Sequence, residues 1–229
     1  MTDAPVTTPR RSRGRPPMTE ADVGKARDRI LQATRQVFSR QGYHELSVEQ
    51  VIAEAGVSRP TFYRYFHSVD EAVELLVSQV NQDLIQRLLA ALTTAITPAT
   101  KVESAILAWR QWGEDLGEFL RPFFAELHDP RSPVGRHRQL TIGVLSAHIA
   151  EAVVLLGRHR PGPLRVAVFI DGMEFLGYHY HLNTPRDEQS WAEAREAMFR
   201  LALGLLGDAT DWGNALELAR EFDIPLQGN

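Results

Sequence analysis

Between Ser58 and Phe66 the sequence SRPTFYRYF sets two kinds of side chain on a helical repeat. Phe62 and Phe66 stand four apart and share one face, which leaves Arg59, Thr61, Tyr63 and Arg64 to point outward. A guanidinium fork matches guanine O6 and N7, a threonine methyl lies well against thymine, and a tyrosine hydroxyl bonds a phosphate. Pro60 stands early in the helix, where its missing N–H costs nothing, and stiffens the entry. These groups are suited to reading a duplex.

Groups suited to catalysis are sparser. The chain has no cysteine, which excludes disulfides, thiolate metal sites and thiol nucleophiles. No GxSxG, P-loop or GxGxxG sequence occurs. Asp171, Glu174 and nearby histidines offer acid–base groups, but no nucleophile or cofactor motif stands at a working spacing from them, so neither an enzyme nor a cofactor is expected. His179 and His181 form an HxH pair whose side chains diverge on a helix, and no metal site is expected from it.

The net charge of −4 masks an asymmetry. Residues 1–67 hold 11 Lys and Arg against 7 Asp and Glu, whereas residues 68–229 hold 14 against 22. A positive module on a negative body suits a chain of which only the first part approaches a polyanion. The positive charge is densest in an arm rich in Pro and Arg, with four arginines between residues 10 and 15. Within it Arg13-Gly14-Arg15-Pro16 resembles the core of AT-hook peptides, in which a flat glycine lets two arginines lie along a narrow A·T-rich minor groove. The same run also fits a solvated basic tail with no groove preference.

The length of 229 residues allows a small module and a larger one. Apolar residues are 44% and charged residues 24%, an ordinary globular balance, and no run of about 18 uninterrupted apolar residues suggests a bilayer span. The first residues lack the apolar segment of a secretory signal, so a cytoplasmic protein that meets no membrane is expected. Period-2 patterns are scarce and helical spacing is nearly universal, which makes the chain all-α. A disordered arm is expected over 1–18, a helix-turn-helix domain over 19–67 and a helical body over 68–229. The first helix should run from 19 to 41 and stop at Gly42. Two short helices at 47–54 and 58–66 follow, opened by Ser47 and Ser58. A connector helix should start at the capping box Ser68-Val69-Asp70-Glu71 and continue past Leu92 to a break at Pro98. Later helices are placed near 100–116, 118–128, 134–157, 164–182 and 188–206, divided by prolines, with a short one near 212–222.

Two short helices joined through Ala55-Gly56-Val57 form a candidate helix-turn-helix, in which Gly56 takes the left-handed hinge and Val57 turns into the core. Spacing alone also fits a plain αα-hairpin with a charged, solvated face. The stretch 30–76 as a whole resembles the DNA-binding module of the TetR family of regulators. The resemblance is carried by Phe38, Gly42-Tyr43, Ser47-Val48, Val51-Ile52-Ala53, Ala55-Gly56-Val57-Ser58, Thr61-Phe62-Tyr63 and Phe66, in family order without a gap. It implies a three-helix N-terminal module and a larger helical domain for effector binding and dimerisation. It further implies that Arg59, Thr61 and Arg64 face bases while Ser47, Tyr63 and Tyr65 hold phosphates. Pro60 stands where some members also have proline. Val69 departs from the pattern, since most members carry a phosphate-touching Lys there. The lost contact should flatten the salt dependence of binding by roughly one unit.

In the body, the helices near 164–182 and 188–206 carry Gly172, Gly177 and Gly204, which permit close helix approach. The resemblance implies a homodimer through these two helices, and such a dimer suits a palindromic operator read in successive major grooves. Ordinary intrachain packing is the alternative. Trp109, Trp112, Phe119, Phe123 and Phe124 cluster in one region and Phe169, Phe175, Tyr178 and Tyr180 in another. Together with Glu174, the set Trp109, Trp112, Phe123, Phe124, Phe169 and Tyr178 forms a candidate pocket for a small hydrophobic ligand. Aromatics at helical spacing are as readily core. The functional expectation is a ligand-responsive repressor of transcription, set against an effector-independent regulator or an architectural DNA binder.

Overall fold

A computed structural model describes residues 20–182, 186–208 and 211, with side chains from residue 25 onward. The basic arm with Arg13 and Arg15, and the short helix expected near 212–222, lie outside the described residues.

Among the described residues the chain is all-α. The helices are α1 (Glu20–Gln41), α2 (Val48–Ala55), α3 (Arg59–Tyr65), α4 (Val69–Thr94), α5 (Pro98–Leu116), α6 (Leu120–Glu126), α7 (Pro133–Leu155), α8 (Pro163–Leu182) and α9 (Glu188–Leu206). A 3₁₀ turn, Gly117–Phe119, leads into α6 and takes up the first two residues of the helix the sequence suggests over 118–128.

Most helices start where a side chain can satisfy the free N–H groups of the first turn. Ser47, Ser58, Ser68, Thr97, Ser132 and Asp187 each cap one in this way, typically worth about 1 kcal/mol. Pro98, Pro133 and Pro60 sit in first turns, the one place in a helix where a missing N–H is harmless.

Helices α1 to α3 enclose Ile30, Val37, Phe38, Val51, Phe62 and Phe66, all essentially inaccessible. α4 then runs from this module into the body, burying Val73, Val77 and Val80 along its inner side. The buried cluster does not stop at residue 67. It continues through Phe119 and Phe123 to Trp112, Tyr178 and Phe199, so head and body share one contiguous apolar interior. α7 is long and apolar enough to cross a bilayer by length and composition alone, yet it packs against α4 and α8, and 22% of its most apolar stretch is buried.

Candidate nucleic-acid interface and the cavity behind it

The turn between α2 and α3 is set by three local features. At Ser47 a full capping box forms: the hydroxyl accepts from Gln50 N while Gln50 Oε1 accepts from the Ser47 N–H. Gly56 ends α2 with φ at +61°, a left-handed conformation that a Cβ would penalise by roughly 1–2 kcal/mol. Ser58 then caps α3, and its hydroxyl pairs with that of Thr61 at 2.8 Å. Phe62 is fully buried below, which fixes the roll of α3 and leaves Arg59, Pro60, Tyr63 and Arg64 exposed.

Arg59 is ion-paired with Glu49 on α2. Both side chains are more than half exposed, so the pair contributes little and yields readily to a phosphate or a guanine edge. Thr61 is half-buried with its hydroxyl turned to Ser58. The Ser47 hydroxyl donates to Gln50 Oε1 at 2.8 Å, and a phosphate would have to take that proton from Gln50.

Tyr65 is placed otherwise than the resemblance implies. Its hydroxyl is buried, with no hydrogen-bond partner among the described residues, because Tyr65 lies on the side of α3 that packs towards the core. It therefore does not join the exposed set that could meet phosphates. Val69 opens α4 half-buried against the same core, so the position offers packing and no cation.

Several contacts tie this head to the body. Arg35 donates to the carbonyls of Asp115 and Leu116 at the end of α5 and lies over the Phe119 ring, 5.1 Å from its centroid. The Phe38 and Phe119 rings are 4.9 Å apart. In the loop after α1, Tyr43 donates to Asp70 and His44 bonds Asp129 at 2.9 Å. All but the Asp70 contact converge on the short segment from the end of α5 to the start of α7.

The same segment borders a partly open cavity of about 200 Å³ lined by α4 to α9. Trp109, Trp112, Phe123, Phe169, Glu174 and Tyr178 all line it. Phe124 does not; its ring stacks behind Tyr178 at 4.3 Å, since α6 turns Phe123 rather than Phe124 inward. The walls are mainly apolar, drawn also from Leu84, Leu88, Ile142, Leu145 and Met173.

One polar group at the wall has no signal in local sequence. Arg138 on α7, itself buried, bonds Glu174 Oε2 at 2.6 Å and Asp171 Oδ1 at 2.6 Å across to α8. Burial pushes the Glu174 carboxyl up and Arg138 opposes it. Burial likewise raises the Tyr178 hydroxyl well above the ordinary phenol range, with the Glu174 charge adding to it. Asp171, the other carboxylate on Arg138, is largely solvent-exposed.

The glycines of α8 serve the chain itself. A Cβ on Gly172 would lie 2.5 Å from Leu201 of α9, and one on Gly177 would lie 3.3 Å from the Trp109 ring. They seat α8 on α9 and α5, which is the intrachain alternative to the interface role suggested by their presence. The outward apolar side chains lie instead on α7 and α8: Leu140, Val144, Val154 and Leu155, then Leu164, Val168 and Phe175, the last 63% exposed. No large apolar residue of α9 is as exposed among the described residues. His179 is exposed and His181 buried, so the HxH pair does diverge.

Comparison with known proteins places this architecture. The sequence model of a family described as bacterial regulatory proteins, tetR family, matches residues 30–75. The uncharacterized HTH-type transcriptional regulator YdgC of Bacillus subtilis is 33% identical over 54 residues, 24% of this chain and 28% of its own length. UidR, an HTH-type transcriptional regulator of Escherichia coli, is 26% identical over 68 residues, 30% of this chain and 35% of its own. The chain thus spans about a third or less of these two relatives. The HTH-type transcriptional activator FasR of Mycolicibacterium smegmatis matches further, at 26% identity over 170 residues, 73% of this chain and 78% of its own. Among solved structures, a TetR-family transcriptional regulator from Streptomyces coelicolor superposes with a TM-score of 0.60 at 18% identity, covering 81% of this chain and 97% of its own. The fatty acid degradation regulator FadR from Bacillus halodurans does so with 0.65 at 16% identity, covering 78% and 95%. These last two likenesses are of fold.

Proposed function

We propose that this chain, which belongs to the TetR family of bacterial regulatory proteins, is a cytoplasmic, sequence-specific DNA-binding regulator of transcription, without catalytic activity, whose hold on its operator is released by a small hydrophobic ligand. The observation that carries the reading is α3: a helix locked by a fully buried Phe62 that presents Arg59, Tyr63 and Arg64 to solvent. Its partner is double-stranded DNA with a palindromic site, met by a homodimer. The arm with Arg13 and Arg15 adds minor-groove contacts.

The cavity supports the second half of the reading. Its mainly apolar walls, with polar groups at the Arg138–Glu174 and Arg158–Asp211 pairs and at His148, suit an apolar ligand that also carries polar functions. At about 200 Å³ it lies below the roughly 300–1,000 Å³ usual for drug-sized ligands, so a larger effector must part its walls. Phe123 on α6 lines the cavity, while Glu126 on the same helix faces the α1–α2 loop. Displacing α6 therefore moves the head, which is how filling the body alters the spacing of two heads on DNA.

A gel-shift series with chromosomal fragments tests the reading. A specific site should outcompete bulk DNA by well over tenfold, and less than about tenfold would favour an architectural role. The likeness to FasR, an activator, favours a second reading in which binding raises transcription. A promoter reporter separates the two by the sign of the change.

A further inference from the structure

We propose that His44, Glu126 and Asp129 form a binding site for one divalent transition-metal ion of the zinc type, which clips the α1–α2 loop to the end of α6. The three residues come from separate places: the loop after α1, the last residue of α6 and the turn before α7. The fold gathers one ligand atom from each to within 4.8 Å of the others. His44 Nε2 lies 2.9 Å from Asp129 Oδ2 and 3.6 Å from Glu126 Oε2. A tetrahedral ion with bonds of about 2.0–2.2 Å holds its ligands on the order of 3.3 Å apart, between those two distances.

Glu126 is the observation that asks for a cation. The residue is only 8% exposed, and its Oε2 is buried with no hydrogen-bond partner among the described residues. A buried carboxylate oxygen left without a donor or counter-ion is costly, and this one is aimed at His44. Asp129 is arranged as an oriented ligand. Its Oδ1 accepts from the Arg131 N–H at 2.9 Å and from Arg131 Nε at 3.3 Å, and its Oδ2, which also takes a long bond from Arg131 Nη2 at 3.5 Å, turns to His44.

One imidazole and two carboxylates suit zinc and its neighbours in the first row, while the soft ions that favour sulfur find nothing here. His44 is half-exposed, which leaves water free to complete the coordination. An 82-residue gap separates His44 from Glu126, so no local spacing betrays the set. The competing occupant is a proton: a charged His44 would form an ion pair with the same two carboxylates.

The test titrates the full chain, freed of metal with a chelator, with Zn²⁺ alone by calorimetry, and with Co²⁺ followed by visible absorption. We expect one Zn²⁺ per chain and the intense absorption of four-coordinate Co²⁺. His44→Ala and Glu126→Gln should each weaken binding at least tenfold, and His179→Ala should bind as wild type. Zinc should also raise the melting temperature of wild type and not of His44→Ala. Unchanged binding in both cluster variants, no saturable one-to-one binding up to about 1 mM, about 4 kcal/mol of affinity, or a six-coordinate Co²⁺ spectrum in wild type would overturn the proposal and leave only the protonated pair. The cobalt spectrum of wild type decides even if a variant misfolds.

Discussion

Burial acts on one imidazole at His181 with a consequence for the whole stability curve. The ring packs against α5 so closely that a Cβ on Gly113 would meet its Nε2 at 2.2 Å, and its Nδ1 is buried without a partner among the described residues. Burial pulls its pKa from 6.5 down to about 4, with Glu114 opposing and Arg186 and Arg110 assisting. The unfolded chain therefore binds a proton that the folded chain refuses between these values. Stability from the neutral ring is complete above about pH 6.5 and is lost as the pH falls towards 4. In urea unfolding, wild type should lose stability relative to His181→Gln across that window, and parallel curves would count against a buried neutral ring. At this scale the exposure of Arg59, Tyr63 and Arg64 was legible because one short helix sets them on the side away from Phe62. Arg59 and Arg64 are exposed by the same arithmetic that buries Phe62. Tyr65 was not legible, since whether its hydroxyl emerges depends on how α3 lies against the rest of the head. Arg138 was missed because its partners Asp171 and Glu174 are more than 30 residues away and meet it only when α7 and α8 pack.

The elements were easier to read than their partners. Caps and prolines fall at helix starts, so the helices stand within a few residues of where Ser47, Ser58, Ser68 and Pro98 place them. The break that the sequence places between 116 and 118 falls at Gly117, which takes a positive φ and opens a 3₁₀ turn before α6. A helix rich in glycine signals close approach but not to which neighbour, and Gly172 and Gly177 turn out to face α9 and α5. The exposed apolar side chains on the outer sides of α7 and α8, Leu140 and Phe175 among them, are of the kind that mark a protein contact. If two copies meet there, Phe175→Glu should convert the dimer to monomer in sedimentation equilibrium without lowering the helix content. A dimer that survives both Phe175→Glu and Leu140→Glu would move the interface elsewhere.

Across the whole molecule the division into head and body holds in charge but not in packing. The first 67 residues are net basic and carry the groups proposed to meet DNA, yet the interior of the described head is continuous with that of the body through Phe38, Phe119 and Phe123. In the proposed function, that continuity is the route by which a ligand in the cavity acts on α3. The central claim remains that α3 reads bases. The measurement closest to it compares wild type with Arg59→Ala and Arg64→Ala on a selected operator and on random duplex at one salt concentration. Each variant should lose about 1–3 kcal/mol on the operator and much less on random DNA. Equal losses on both would make these arginines phosphate contacts and contradict the account.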